Sequence, residues 1–350
     1  MIKLNKVPVG DGFRPFIVAE ISANHTGSLK NALLLIKYAK ECGVDAVKFQ
    51  TFTAETMTLN FNRRGYVIKD KNNLWKEKKL FNLYKKNETP SNWHKKLFLE
   101  AKKNNVLAFS SPFSTEAVDF LETFNVPCYK VASFEINHFP LLKRIAQTKK
   151  PVILSTGMAS FPEIKEAYNF LKKNGTKKII ILKCTSSYPA DEKDMNLITI
   201  KDLKKKFKCP VGLSDHNIGI GPAIGSIFFG ANLIEKHFTL KKNNRADGKF
   251  SLDKKELFQF VKEAHAAWLS IGKIFYGSSK KEKGSLSRRR TIFAIKKIKK
   301  GEKFSPINIG ILRPSLGLHP RYYFKIIGKK SLKNINYGSP LKKNMINNLN

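Results

Sequence analysis

Two histidines, His216 in Gly-Leu-Ser-Asp-His-Asn and His237 in Ile-Glu-Lys-His-Phe-Thr, each close a short apolar run. Imidazoles delivered from two adjacent strand ends can share one divalent ion and leave its other positions to water or substrate. The same placement also suits histidines that only hydrogen-bond at the mouth of a barrel. Lys48, Lys130, Lys183 and Lys236 stand in or at the end of similar runs. An uncompensated ammonium is costly to bury, so their recurrence predicts an anion among them. Ser133, Ser155, Ser186 and Ser214, with nearby backbone amides, could complete a cradle for phosphate or carboxylate; any one of these serines taken alone reads as turn chemistry. Glu20, Glu135, Asp215, Glu235 and Asp247 are the acids of the same regions, able to neutralise a lysine, hold a sugar hydroxyl or move a proton. Glu235, flanked by Lys236, reads as that lysine's structural partner, and Glu135, just past its run, as a substrate contact. There is no Gly-rich nucleotide loop of either familiar spacing, which argues against nucleotide hydrolysis.

The elements that must carry these groups follow from periodicity. Short β-branched or aromatic runs alternate with longer amphipathic stretches, the pattern of an α/β fold with parallel strands. Strands are expected at 16–22, 46–52, 106–113, 128–133, 151–157, 178–186, 210–216 and 233–240. Helices are expected at 28–42, 91–104, 115–124, 161–174, 220–231 and 253–271, the last opened by Asp253 in N-cap position. Eight such units in about 270 residues are the arithmetic of a TIM (β/α)8 barrel, whose catalytic groups gather at the C-terminal ends of the strands. The ionisable residues above fall there. The stretch 53–87 is long for a βα loop and is expected to be a lid or to hold small elements of its own. A polar linker at 277–287 should separate the barrel, 1–276, from a small β-rich domain at 288–350 whose stability depends on docking elsewhere.

The 350 residues carry 65 Lys+Arg against 27 Asp+Glu, a formal charge of +38, and 19 basic residues against 2 acids lie in 280–350. Such an excess can mark a nucleic-acid binder. Lysines scattered over helix faces, beside abundant Asn, Ile and Phe and without arginine–aromatic patterning, instead read as compositional drift, and a nucleic-acid partner is disfavoured. The field would still attract a small anionic substrate. No apolar run is long enough for a membrane span, the first residues are not a signal peptide, and the expected compartment is the cytoplasm. Four dispersed cysteines are expected to be reduced thiols without a chemical role.

These residues also resemble a family. Ala19-Glu20-Ile21-Ser22-Ala23-Asn24-His25, Val47-Lys48-Phe49-Gln50-Thr51, Phe109-Ser110-Ser111-Pro112-Phe113 and Tyr129-Lys130-Val131-Ala132-Ser133-Phe134-Glu135 are similar to motifs of the sialic acid synthase family. So are Leu154-Ser155-Thr156-Gly157-Met158, Lys183-Cys184-Thr185-Ser186-Ser187-Tyr188-Pro189, Gly212-Leu213-Ser214-Asp215-His216 and Glu235-Lys236-His237-Phe238-Thr239. Ile298-Lys299-Lys300-Gly301-Glu302 and Leu312-Arg313-Pro314 resemble that family's C-terminal antifreeze-like (SAF) domain. Within the family, the segment 51–59, Leu74-Trp75 and Thr89-Pro90 with Trp93-His94 look like the pseudaminic acid branch.

The resemblance implies condensation of phosphoenolpyruvate with an N-acetylated amino-sugar aldehyde to a nine-carbon 2-keto acid and phosphate. For the pseudaminic branch the acceptor would be 2,4-diacetamido-2,4,6-trideoxy-L-altrose; a neuraminate or legionaminate synthase is the nearest rival. It further implies His216 and His237 as ligands of a divalent metal, Mn²⁺ or Mg²⁺, and Lys48, Gln50, Lys130, Ser133, Ser155, Ser186 and Ser214 as phosphoenolpyruvate contacts. Glu135 and Asp247 would hold the sugar, and Arg313 would reach the active site of a partner in a domain-swapped homodimer. Lys48, Glu135 and the two histidines are the implied catalytic groups. Three positions depart from the pattern. Thr26 replaces an acid of the neuraminate branch, Ser114 an Asp, and Ser315-Leu316 the Gly that usually follows the SAF Pro.

Overall fold

The structure, a computed structural model, describes residues 1–63, 65–69, 76–242 and 247–349. Leu74-Trp75, part of the resemblance, lies outside the described residues. The chain divides into two compact units, Met1–Gly272 and Lys273–Asn350.

In the first unit a hairpin, β1 (Ile2–Leu4) and β2 (Val7–Val9), precedes eight strands. These are β3 (Phe16–Glu20), β4 (Ala46–Thr51), β5 (Leu107–Pro112), β6 (Tyr129–Val131), β7 (Val152–Ser155), β8 (Ile179–Cys184), β9 (Val211–Asp215) and β10 (Leu233–His237). They close a barrel in chain order, with β10 against β3 and every pairing parallel. The TIM-barrel expectation holds, with each strand one to three residues shorter at its ends than periodicity suggests. The helices Leu29–Glu41, His94–Lys103, Thr115–Glu122, Phe161–Lys173, Gly221–Phe228 and Lys254–Ile271 match expected ones, the last capped by Asp253, whose side chain accepts from the Glu256 amide at 2.9 Å. Phe139–Gln147 and Thr199–Phe207 were not foreseen. Both are nine residues long, and the second holds four lysines, so its apolar signal is confined to Ile200 and Leu203. The long βα connection does hold short helices of its own, Ala54–Met57 and Leu80–Asn87.

Strand alternation sorts the side chains. Outward residues such as Ile17, Val47, Val131, Leu154, Ile181 and Leu213 join the helices in the main core. Inward residues toward the strand starts form a second apolar cluster: Phe16, Val18, Ala46, Phe109, Cys128, Ile153, Ile180, Leu182 and Leu233, floored by Ile2, Leu4 and Val9 of the hairpin. At Gly212 any Cβ would fall 2.0 Å from the Leu233 carbonyl oxygen, so only glycine lets β9 approach β10 there.

The second unit pairs β11 (Thr291–Ala294) antiparallel with β12 (Ile309–Leu312). Its own core includes Ile292, Ile298, Phe304, Ile309, Ile326, Ile335 and Leu341. Regular strand beyond this pair is limited to isolated bridges such as Ile298 with Ile335, so much of this unit is turns and short helical segments rather than sheet.

Candidate active site

Continuing the inward alternation by two residues brings the polar groups into one layer above the apolar plug. Lys48 ion-pairs with Glu20, lies 3.6 Å from Glu235 Oε1 and donates to Ser111 Oγ at 3.2 Å. Lys130 Nζ donates to both Glu235 oxygens, at 2.8 and 3.1 Å, and Ser214 Oγ donates to Oε1 at 3.1 Å. Burial alone would raise the Glu235 carboxyl, but Lys130 and Lys48 hold it well below the usual range. Burial and the like charge of Glu235 leave Glu20 raised despite Lys48. Lys48 and Lys130 are therefore compensated in part by the protein's own carboxylates, one of the roles left open for these acids by the sequence. Lys183 is not in the mouth, contrary to expectation: in step with the outward Ile179 and Ile181 and in register with Leu213, it turns away from the barrel interior, where its Nζ donates to the Cys184 carbonyl and to Thr185 Oγ1 and makes no ion pair among the described residues.

A second group follows the ends of β6, β7 and β8. Gly157 N donates to Ser133 Oγ at 3.0 Å, and a Cβ on Gly157 would lie 2.0 Å from Ser186 Oγ and 2.8 Å from Ser133 Oγ. Glycine thus lets two hydroxyls and an amide converge. Ser155 Oγ is buried without a hydrogen-bond partner, as are Glu135 Oε2 and Glu20 Oε1. Unsatisfied buried polar atoms are uncommon enough that a cluster of them points to a ligand. Burial pushes the Glu135 carboxyl up to about 8, only partly opposed by its backbone hydrogen bond and by Lys130 and Lys48. Gln50 is half-buried near the end of β4, in register with Ser111.

The two imidazoles face each other, with ring centroids 5.2 Å apart. His216 Nδ1 lies 3.0 Å from the Thr185 carbonyl, an obligate acceptor, so Nδ1 carries the proton and the Nε2 lone pair is free to ligate. His237 Nδ1 is buried without a directed hydrogen bond, 3.3 Å from Asp247 Oδ2. Against its burial, His237 and His216 hold Asp247 below the usual carboxylate range. Among the described residues no three His, Cys, Asp or Glu side chains converge as a closed metal cage. Two neighbouring imidazoles, one of them oriented by a backbone carbonyl, beside a carboxylate nevertheless fit an open site whose remaining positions go to water or substrate.

Residues 35–276 match the model of the NeuB family and 289–347 that of the SAF domain. The chain belongs to the NeuB family. It is 43% identical over 328 residues to pseudaminic acid synthase of Campylobacter jejuni, covering 93% of this chain and 95% of that one. The pseudaminic acid synthase of Helicobacter pylori is 40% identical, with 93% of this chain and 96% of that one covered. Among solved structures, N-acetylneuraminic acid synthetase from Leptospira borgpetersenii serovar Hardjo-bovis, in complex with citrate, superposes with a TM-score of 0.72 at 32% identity, covering 81% of this chain and 94% of that one.

In this NeuB-family barrel two readings of single residues change. Lys236 is not in the mouth: Glu235 and His237 face the interior, so alternation turns Lys236 outward, where it is fully buried against Asp215. Glu235 accordingly pairs across the barrel with Lys130 and not with its neighbour. Cys184, assigned no role, ends β8 with its Sγ 3.8 Å from His216 Nδ1 and 3.6 Å from Ser186 Oγ. Its position at the end of Ile-Ile-Ile-Leu-Lys-Cys was the available signal. Tyr188 and Phe250, also unforeseen, pack on the imidazoles at 4.6 Å from His216 and 4.9 Å from His237. His25 is buried, and desolvation lowers it to about 4, so it is neutral, accepting from the Gly27 amide at Nδ1. Thr26 and Ser114 have local duties: Thr26, at φ 52°, accepts from Asn31, and Ser114 caps Thr115–Glu122. Arg313 belongs to the other unit, next after β12.

Proposed function

We propose that this chain condenses phosphoenolpyruvate with 2,4-diacetamido-2,4,6-trideoxy-L-altrose, as a pseudaminic acid synthase. The observation that carries the reading is the single layer in which the Lys48–Lys130 cradle adjoins a facing pair of imidazoles. The likeness to two pseudaminic acid synthases at 40 and 43% identity supports the choice of sugar. N,N'-diacetyllegionaminic acid synthase of Campylobacter jejuni, at 39% identity over 92% of this chain, is the nearest competing assignment.

In this reading Lys48 and Lys130 face the donor's phosphate and carboxylate, with Gln50, Ser133, Ser155, Ser186, Ser214 and the Gly157 amide supplying hydrogen bonds. Fixed charges aimed at a departing phosphate stabilise the transition state without reorganisation. Carbon 3 of the enol attacks the sugar aldehyde, water adds at C2, and phosphate departs as the C2–O bond breaks. Glu135, protonated at neutral pH, donates a hydrogen bond to the sugar, and Asp247 accepts one. A divalent ion, Mn²⁺ or Mg²⁺, held by His216 and His237 would supply Lewis-acid polarisation of the aldehyde oxygen. Holding both substrates adds the gain of proximity. We further propose a homodimer in which Arg313 serves the partner's site, a linker and SAF domain from 277 onward, and a cytoplasmic location.

Purified protein with Mn²⁺, phosphoenolpyruvate and each of three acceptors, the altrose derivative, the legionaminate precursor and N-acetylmannosamine, decides the sugar. Phosphate release fastest with the altrose derivative is expected. Faster release with either other acceptor reassigns the branch, and none with any acceptor overturns the reaction.

A further inference from the structure

A buried ion pair that takes no part in the proposed chemistry stands immediately before the two imidazoles. Asp215 and Lys236 are register partners on β9 and β10, and both side chains are fully buried. Lys236 Nζ donates to Asp215 Oδ2 at 2.8 Å and to the Asn217 carbonyl at 2.5 Å, while the Asn217 amide donates to Asp215 Oδ1 at 2.8 Å. One ammonium therefore grips the residues on both sides of His216, and its own backbone leads directly into His237. The other side of this turn is tied to the segment after β8. The Ala190 amide donates to the His216 carbonyl at 3.0 Å, and Asn217 Nδ2 donates to the Ala190 carbonyl at 3.1 Å.

A buried pair contributes little net stability compared with apolar side chains of similar volume, so packing alone does not call for it here. Apolar substitutes would fill the space between strands and helices. They would leave the Asn217 amide and carbonyl unpaired, and the backbone on either side of His216 free to shift relative to β10. Outer partners that orient ligating histidines are worth about 10- to 100-fold in metal affinity. Because Lys236 faces away from the barrel interior, replacing it leaves Lys48, Lys130, Glu235 and Ser214 with their own partners.

We propose that Lys236, together with Asp215, is a positioning residue that sets the spacing of the His216 and His237 imidazoles for a divalent cation. The proposal rests on the reading of those imidazoles as ligands. Its test uses full-length, metal-stripped protein and the free-ion electron paramagnetic resonance signal of Mn²⁺. The double variant Asp215→Asn/Lys236→Met removes both charges, and Asp215→Asn alone serves if the double variant does not fold. We expect Mn²⁺ affinity to fall about 10- to 100-fold, with phosphoenolpyruvate binding to metal-free protein, measured calorimetrically, unchanged. A folded variant with wild-type Mn²⁺ affinity overturns the proposal, as does equal loss of both affinities, which would mark a general structural lesion. His237→Ala in the same titration separates the two levels. If it also binds Mn²⁺ as wild type, the imidazoles are not ligands and the underlying reading falls. If it loses Mn²⁺ while the pair variants keep it, the positioning role alone falls.

Discussion

The two ends of the barrel interior are built from the same strands by the same alternation, yet they differ in kind. Toward the strand starts the inward positions are Phe16, Ala46, Cys128, Ile153, Ile180 and Leu233, an apolar plug closed by the β1–β2 hairpin. A step of two residues along the same strands reaches Lys48, Lys130, Ser155, Leu182 and Glu235, and the last inward residues include Cys184 and His237. Thus β4, β6, β7 and β10 turn polar within one step, and β3 and β8 within two, at Glu20 and Cys184. The lower layers are filled by burial and the upper one by charge pairing with several atoms left unsatisfied. Stability should therefore reside at one end and chemistry at the other.

That contrast can be broken. His237→Ala should lower turnover at least about 10³-fold, roughly 4 kcal/mol of transition-state stabilisation, with little change in melting temperature. A steady-state assay of phosphate release beside a calorimetric melt checks both halves, and a large loss of stability would erase the distinction. Phe16→Ala should do the reverse. It should lose about 3–5 kcal/mol in denaturant unfolding, as buried Phe truncations do, with kcat of the remaining folded protein preserved.

Smaller effects sharpen the picture. Lys130→Met, which removes one ammonium from the Glu235 pair, should lower kcat/KM for phosphoenolpyruvate about 10²-fold, or roughly 2.7 kcal/mol. An unchanged value would show that the cradle holds something else. Glu135 offers a pH test. Its folded value of about 8 lies above its unfolded value of 4.5, so the folded state binds more protons between them and stability falls as pH rises through that window. From pH 6 to pH 8 the loss is about 2 kcal/mol, and Glu135→Gln should remove it. Urea unfolding of both proteins at the two pH values measures the difference; parallel losses would mean that Glu135 titrates as an ordinary carboxylate.

Much of this was legible in the sequence because the barrel repeats one local rule. Polar residues at the ends of apolar runs mark the mouth, and His216, His237, Lys48 and Lys130 could be read from that rule alone. Partnering across the barrel could not. Glu235 sits beside Lys236 in the chain but pairs with Lys130, because strand neighbours face opposite ways and pairing is decided by closure of the sheet. Cys184 escaped notice because a thiol ending an aliphatic run looks like core, and only the loop geometry that folds Thr185 back onto His216 makes it part of the site. The helix Thr199–Phe207 was missed for a similar reason. Its lysines blur the apolar stripe, and packing of Ile200 and Leu203 in the main core supplies what its pattern lacks.

The most direct test of the polar end as the reactive one is an anomalous difference map from crystals grown with Mn²⁺ and phosphoenolpyruvate. A manganese peak between the His216 and His237 rings, with donor density against Lys48 and Lys130, is the predicted result. Manganese or donor density elsewhere, for example in the groove of about 1010 Å³ at the strand starts lined by Arg14, Asp45, Lys102 and Val126, would contradict it.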